Sequence, residues 1–121
     1  MAVLPDDALV VRGGLNLPKN FEQGSGVDTD SDGKLHEVSV NSAVGASVAE
    51  LAAPNAATGY PGILNNQIGA TTVGNVRVAG GDVAPSPTKK NPNHATLKGL
   101  TPEQARELFR PTIHNPARPK N

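Results

Sequence analysis

The chain has 121 residues, enough for one domain, and only three of them are aromatic, Phe21, Tyr60 and Phe109. It contains 13 glycines, 11 prolines and no cysteine, which argues against a helical bundle, a coiled coil, a disulfide framework and a thiolate metal site. No apolar run approaches the roughly 20 residues that cross a bilayer. The N-terminal residues also lack the basic and apolar regions of a secretory signal, so we expect a cytoplasmic location without membrane contact.

The formal net charge is zero, but the two halves of the chain differ. Residues 1–60 carry three basic and eight acidic side chains, whereas residues 61–121 carry eight basic and three acidic ones. The halves therefore have net charges of −5 and +5. This asymmetry allows a basic face that meets a polyanion or an acidic partner protein, or charges that interleave in space.

The first half predicts two strands and a short helix. The apolar run over 8–11 is typical of a buried strand that ends at a glycine turn, and residues 15–33 are mostly loop. Residues 34–41 predict a second strand, whose imperfect alternation of apolar residues allows a bulge. A capping box over 47–50 predicts a short helix that ends before Pro54.

Glycine and proline punctuate the middle of the chain. Residues 54–66 predict an irregular loop of a size typical of functional or flexible loops. A strand is expected over 67–73. The stretch 73–81 fits a short capped helix as well as a strand, because Val73 and Val76 have helical spacing while Val76 and Val78 alternate.

The last third begins with a basic, extended linker around 85–92, followed by a strand over 94–97. Thr101, Pro102 and Gln104 form a capping box with proline at the first helical position, which predicts a helix that ends at Pro111. Beyond this point the proline-rich chain is expected to be extended and to dock on the domain or on a partner.

Together these elements predict an α+β fold, with a small compact mixed sheet, two or three short helices and long Gly/Pro-rich loops. We expect one domain over 1–110 and an extended tail over 111–121.

An acidic segment has part of the spacing of a calcium loop. Asp28, Asp30 and Asp32 occupy its first, third and fifth positions, but Ser39 stands where a bidentate carboxylate is needed. We therefore expect an Asp-rich turn, and no metal site.

Two segments carry candidate chemistry. Arg12 ends a buried strand beside two glycines, where a guanidinium can bind a phosphate or carboxylate that approaches closely, or pair with a nearby aspartate. His94 and Thr96 share one face of a strand, so an imidazole that moves protons lies beside a hydroxyl donor. A structural histidine is the alternative to this catalytic interpretation.

Polar and basic neighbours extend this candidate site. Lys89, Lys90 and Lys98 surround the His94 strand and favour an anionic substrate. In the earlier strand, Ser39 and Asn41 offer hydroxyl and amide contacts.

Part of the pattern resembles the ADP-ribosyltransferase fold. The segment Val10-Val11-Arg12-Gly13 is similar to that family's first strand, and Ser39-Val40-Asn41-Ser42 is similar to its second motif. The resemblance implies that Arg12 binds NAD and that Ser42 supports the site.

The combination of His, Arg, Lys and Ser/Thr also resembles small metal-independent ribonuclease toxins of bacteria. This resemblance implies cleavage of RNA without a cofactor, and a protein partner such as an antitoxin or immunity protein. His94 would be the acid/base, Arg12 and Lys98 or Lys89 would hold the phosphate, and Thr96 and Ser39 would be supporting donors. A non-enzymatic interaction module that docks through 54–66 or the tail is the remaining alternative.

Overall fold

The structure is a computed structural model and describes residues 3–14, 16, 27–29 and 33–118. Seven strands and three helices make up this described part, in the order β1 (Leu9–Gly13), β2 (Val27–Thr29), β3 (Leu35–Ala43), α1 (Val48–Ala52), β4 (Gln67–Thr72), α2 (Val73–Val78), β5 (Asp82–Pro85), β6 (His94–Lys98), α3 (Pro102–Leu108) and β7 (Ile113–His114). None of the helices in the described ranges is long and apolar enough to cross a membrane.

The strands form one sheet in the order β5-β6-β3-β1-β4-β7, with β2 also beside β3. The α+β class and the three short helices are confirmed. All strand pairs among the described residues are antiparallel, so the sheet is antiparallel and not mixed.

Two strands share one edge of β3. β1 pairs with residues 41–43 of β3, and β2 pairs with residues 35–38, which leaves Ser39 and Val40 opposite neither strand. The register of β2 against β3 shifts after Asp28, with one extra residue in β3 at position 36. This is the bulge that the apolar pattern allowed.

Apolar side chains cover both faces of the sheet, but the cluster on one face is larger than the cluster on the other. The larger core includes Val10, Val38, Val40 and Leu97, against which Val76 of α2 and Phe109 after α3 pack. On the other face, Leu51 and Ala52 of α1 cover Val11 and Ile68. On the same face as α1, next to this smaller cluster, the side chains of β3 and β6 are polar.

Side-chain caps determine where the helices begin. Ser47 and Glu50 form the capping box of α1, and Thr101 and Gln104 form that of α3, both as predicted. The ambiguous stretch 73–81 begins as α2 because the Thr72 hydroxyl accepts a hydrogen bond from the Asn75 N–H.

Short strands account for the differences from the sequence prediction. β2 lies in the expected loop 15–33, and β5 precedes and overlaps the start of the expected linker. β7 comes from the tail and pairs with residues 67–68 of β4, so part of the tail lies in the sheet.

Candidate functional site

A cleft of about 730 Å³ opens on the polar part of the sheet face beside α1. Its floor comes from β3 and β6 and includes Ser39, Asn41 and His94. The segment 60–65, all of it except Pro61, forms one wall, and residues 88, 90 and 91 form the other. The cleft thus lies between two loops, both supported by the sheet.

Ser86 holds the imidazole of His94 in place. His94 Nδ1 lies 2.9 Å from the carbonyl oxygen of Ser86 and 2.9 Å from its Oγ. Because a carbonyl oxygen only accepts hydrogen bonds, Nδ1 must carry the proton. In the neutral ring this leaves the lone pair on Nε2, for which no described residue provides a hydrogen bond.

Thr96 shares the face of His94, as the strand period predicts. Its Oγ1 lies 2.8 Å from Ser86 Oγ, so Ser86 joins the two side chains. Thr96 itself does not line the cleft. Thr96 is therefore linked to His94 through the hydroxyl of Ser86.

Asn41 connects the floor of the cleft to both walls. It is 6% exposed and lies opposite His94 in the β3–β6 ladder. Its Nδ2 donates to Leu51 O (2.8 Å) and to Tyr60 Oη (3.1 Å), and its Oδ1 accepts from Asn91 Nδ2 at 2.8 Å. This amide therefore ties α1 and both loops to the sheet.

Further hydrogen bonds fix the walls. Thr58 Oγ1 donates to Lys90 O, which joins the two loops directly. On the far side, the fully buried Asn115 donates from Nδ2 to Ile63 O (2.8 Å) and Asn65 O (2.9 Å). The segment after β7 therefore supports the wall formed by residues 60–65.

Arg12 lines one end of the cleft, but its guanidinium donates a hydrogen bond to the backbone of the sheet. Nη1 donates to Ser39 O at 2.7 Å, at the position where β3 has neither β1 nor β2 opposite it. Strand alternation sends the side chain off the sheet on the side of Val10, opposite to His94. Burial lowers the pKa of this guanidinium.

The glycine turn after Arg12 accommodates the protein's own loop. A Cβ at Gly13 would lie 2.7 Å from Ile63 Cγ2 and would also meet the side chain of Asn65. The close approach that the sequence suggested for a ligand is thus made by the wall of the cleft.

Two residues expected in a shared site lie elsewhere. Ser42 is 5% exposed, follows the core-facing alternation of β3, and donates from Oγ to Leu9 O at 2.6 Å. Lys98 is exposed at the end of β6, opposite Asp82. The structure brings neither to the cleft.

Of the predicted residues, the cleft gathers His94, Ser39, Asn41 and Arg12, together with Lys90 of the surrounding lysines. Lys89 is exposed and does not line it. No sequence motif pointed to Tyr60 or Asn91 as site residues. The only signal for Tyr60 was the length of the irregular loop 54–66, and Asn91 lay in the expected linker.

No group of three or more His, Asp or Glu side chains in the described ranges is placed to hold a metal ion. Of the calcium-like motif, Asp28 contributes backbone to β2, and Asp30 and Asp32 lie outside the described residues. Comparison with protein-family models, curated proteins and solved structures finds no match to this chain.

Proposed function

We propose that this protein is a toxin-like ribonuclease that cleaves RNA in the cleft by acid–base chemistry without a metal. The observation that carries the proposal is the orientation of His94. Its Nδ1–H bonds to Ser86 O at 2.9 Å, and this leaves the Nε2 lone pair available in a polar cleft.

In the proposed reaction, Nε2 of His94 accepts the proton of a ribose 2′-hydroxyl. The 2′-oxygen then forms a bond to the adjacent phosphorus, and the bond from phosphorus to the 5′-oxygen breaks. The products are a 2′,3′-cyclic phosphate and a 5′-hydroxyl, whose proton comes from a second donor or from water. A positioned base of this kind contributes about 10²–10⁴-fold to the rate.

The phosphate contacts differ from the sequence expectation. Lys90 is exposed on a cleft wall, where its ammonium can offset the charge that develops on the phosphate. Arg12 donates to Ser39 O, so its proposed role is to shape the end of the cleft. The proposal extends to location and partner. The enzyme acts in the cytoplasm, and an antitoxin or immunity protein covers the cleft to protect the cell's own RNA.

A non-enzymatic interaction module is the second candidate. The observation in its favour is that Asn41 and Arg12, two of the polar residues of the cleft, bond to the protein itself. The NAD-dependent alternative has no comparable support, because Ser42 bonds to Leu9 O on the opposite face of β3.

The test compares two matched histidine variants. His94→Asn keeps an amide donor near the position of Nδ1 but removes Nε2. His114→Asn is the control, since His114 lies in β7 and bonds through Nε2 to Arg118 O, outside the cleft. The substrates are a short mixed-sequence RNA and its 2′-deoxy counterpart, both with EDTA present.

The wild type and His114→Asn should cleave the RNA and leave the 2′-deoxy strand intact. His94→Asn should be at least about 10²-fold slower, with an unchanged melting temperature. Absence of cleavage by the wild type, or full activity in His94→Asn, would reject the ribonuclease and favour the interaction module.

A further inference from the structure

Tyr60 lies where one wall of the cleft meets its floor. The side chain is half-buried, lines the same cleft as His94, and is the single tyrosine of the chain. Its Oη lies 3.1 Å from Nδ2 of Asn41. Asn41 is directly opposite His94 in the ladder, so the phenol and the imidazole are neighbours of the same amide.

The direction of this hydrogen bond determines what the phenol can do. An amide nitrogen only donates, so Tyr60 Oη must be the acceptor. The hydroxyl proton of Tyr60 has no acceptor among the described residues. It is therefore available to a group bound in the cleft.

Cleavage of a phosphodiester requires two proton transfers, one from the attacking oxygen and one to the leaving oxygen. His94 accounts for the first in the proposed function. The sequence contains no second His-x-Ser/Thr pair that could account for the other. A different donor in the same cleft is required for fast departure of the 5′-oxygen.

Resting on the proposed ribonuclease function, we propose that Tyr60 is the general acid of this reaction. As the phosphorus–O5′ bond breaks, the phenolic proton passes to O5′, while His94 Nε2 holds the proton taken from the 2′-hydroxyl. The Asn41 N–H that bonds Oη stabilises the phenolate as it forms. Transfer of a proton from the imidazolium through solvent restores both residues.

The experiment uses two substrates that differ in their leaving groups. One is a dinucleoside monophosphate, whose alkoxide must be protonated, and the other is uridine 3′-(4-nitrophenyl phosphate), whose phenolate leaves without a proton. Tyr60→Phe should lower kcat/KM about 10²-fold or more on the first and little on the second. His94→Asn should impair both, and His114→Asn should impair neither.

These outcomes separate a catalytic role from a structural one. Equal losses on both substrates would assign Tyr60 to packing of the wall and overturn the proposal, as would full activity of Tyr60→Phe on both. If Tyr60→Phe keeps full activity on both substrates while His94→Asn loses activity as expected, only the assignment of Tyr60 fails. If the wild type cleaves neither substrate, the ribonuclease function itself fails.

A second measurement retains the tyrosine ring and its hydrogen bonds. Because the chain has one tyrosine, biosynthetic incorporation of 3-fluorotyrosine changes Tyr60 alone. The other titratable groups nearby in the described chain are His94, Lys90 and Arg12 in the cleft, and Glu50 across an adjoining cavity. The basic limb of kcat/KM for the dinucleotide should move to lower pH, and an unmoved limb would contradict the assignment.

Discussion

The Asn41 side chain joins the floor of the cleft to α1 and to both walls through three hydrogen bonds. A buried amide is costly without partners, and this one has a partner for each of its polar atoms. Loss of the side chain would leave Asn91 Nδ2 and Leu51 O without these bonds in a buried place. The polar floor is thus a structural element of the fold as well as the proposed binding surface.

We predict that Asn41→Ala lowers the free energy of unfolding by about 3 kcal/mol, because buried donors and acceptors would lose their partners. Urea denaturation measures this loss. Asn66→Ala is the control, since Asn66 is exposed and only its backbone carbonyl takes part in a described hydrogen bond. Similar stabilities for the two variants would show that the amide network contributes little.

The sequence identified some of the cleft residues and missed others for a clear reason. His94 and Arg12 were recognisable because an ionisable side chain stood in or at the end of a short strand. Tyr60 and Asn91 reach the site through packing between distant loops, and Asn91 bonds to Asn41 across 50 positions of sequence. Local residue patterns carry no information about such contacts.

At the scale of elements, the residue pattern of the capping box predicted where α1 and α3 begin. The caps at Ser47 and Thr101 act within three residues, so the sequence alone was enough to locate α1 and α3. The three-residue β2 and the two-residue β7 depend on neighbouring strands for their hydrogen bonds. Their own composition could not predict them.

Thr101→Ala should cost about 1 kcal/mol of stability, because the Gln104 N–H loses the side-chain oxygen that lies 3.2 Å away. α3 leads directly into the fully buried Phe109, so loosening the helix also affects the core. Chemical denaturation of Thr101→Ala against Thr101→Ser tests this. Ser keeps the capping oxygen, and an equal loss in both variants would argue against a capping effect.

At the scale of the whole molecule, Arg77 joins the N-terminal segment, α2 and β5. Its guanidinium bonds to Asp6 Oδ1 (2.6 Å), to Asp82 Oδ1 (3.0 Å) and to Leu4 O (2.8 Å). Burial acts to raise the pKa of Asp82, but the N–H of Val83 and the Arg77 guanidinium outweigh it, so this pKa lies below its ordinary value.

The sign of the pH dependence follows from this lowered pKa. The stability that Asp82 contributes is present above the ordinary pKa of an aspartate and is lost as the pH falls through its folded value. Asp82→Asn should therefore show a slightly smaller loss of unfolding free energy between neutral and acidic pH. The effect is small because the side chain is half exposed.

Thermal or urea unfolding across this pH range measures the difference. Asp7→Asn is the matched control, since Asp7 is exposed and lies outside the Arg77 cluster. An acid dependence of Asp82→Asn equal to that of the wild type would contradict the prediction.

The order of the strands also explains how the two oppositely charged halves fit together. β1 and β3 come from the acidic half, and β4 and β6 from the basic half flank them on both sides. The larger core likewise takes Val10 and Val40 from one half and Leu97 and Phe109 from the other. The strands of the two halves therefore share one sheet and one core.

Because the strands of both halves share one sheet, the chain is suited to division into two complementary fragments. A break between the exposed Ala56 and Ala57 would give two fragments with net charges of −5 and +5, neither of which holds a complete core. Opposite charge would speed their encounter, and the sheet would close only when both are present. The chain therefore offers a scaffold for bimolecular complementation, in which reassembly of the fold reports that two fused proteins have met.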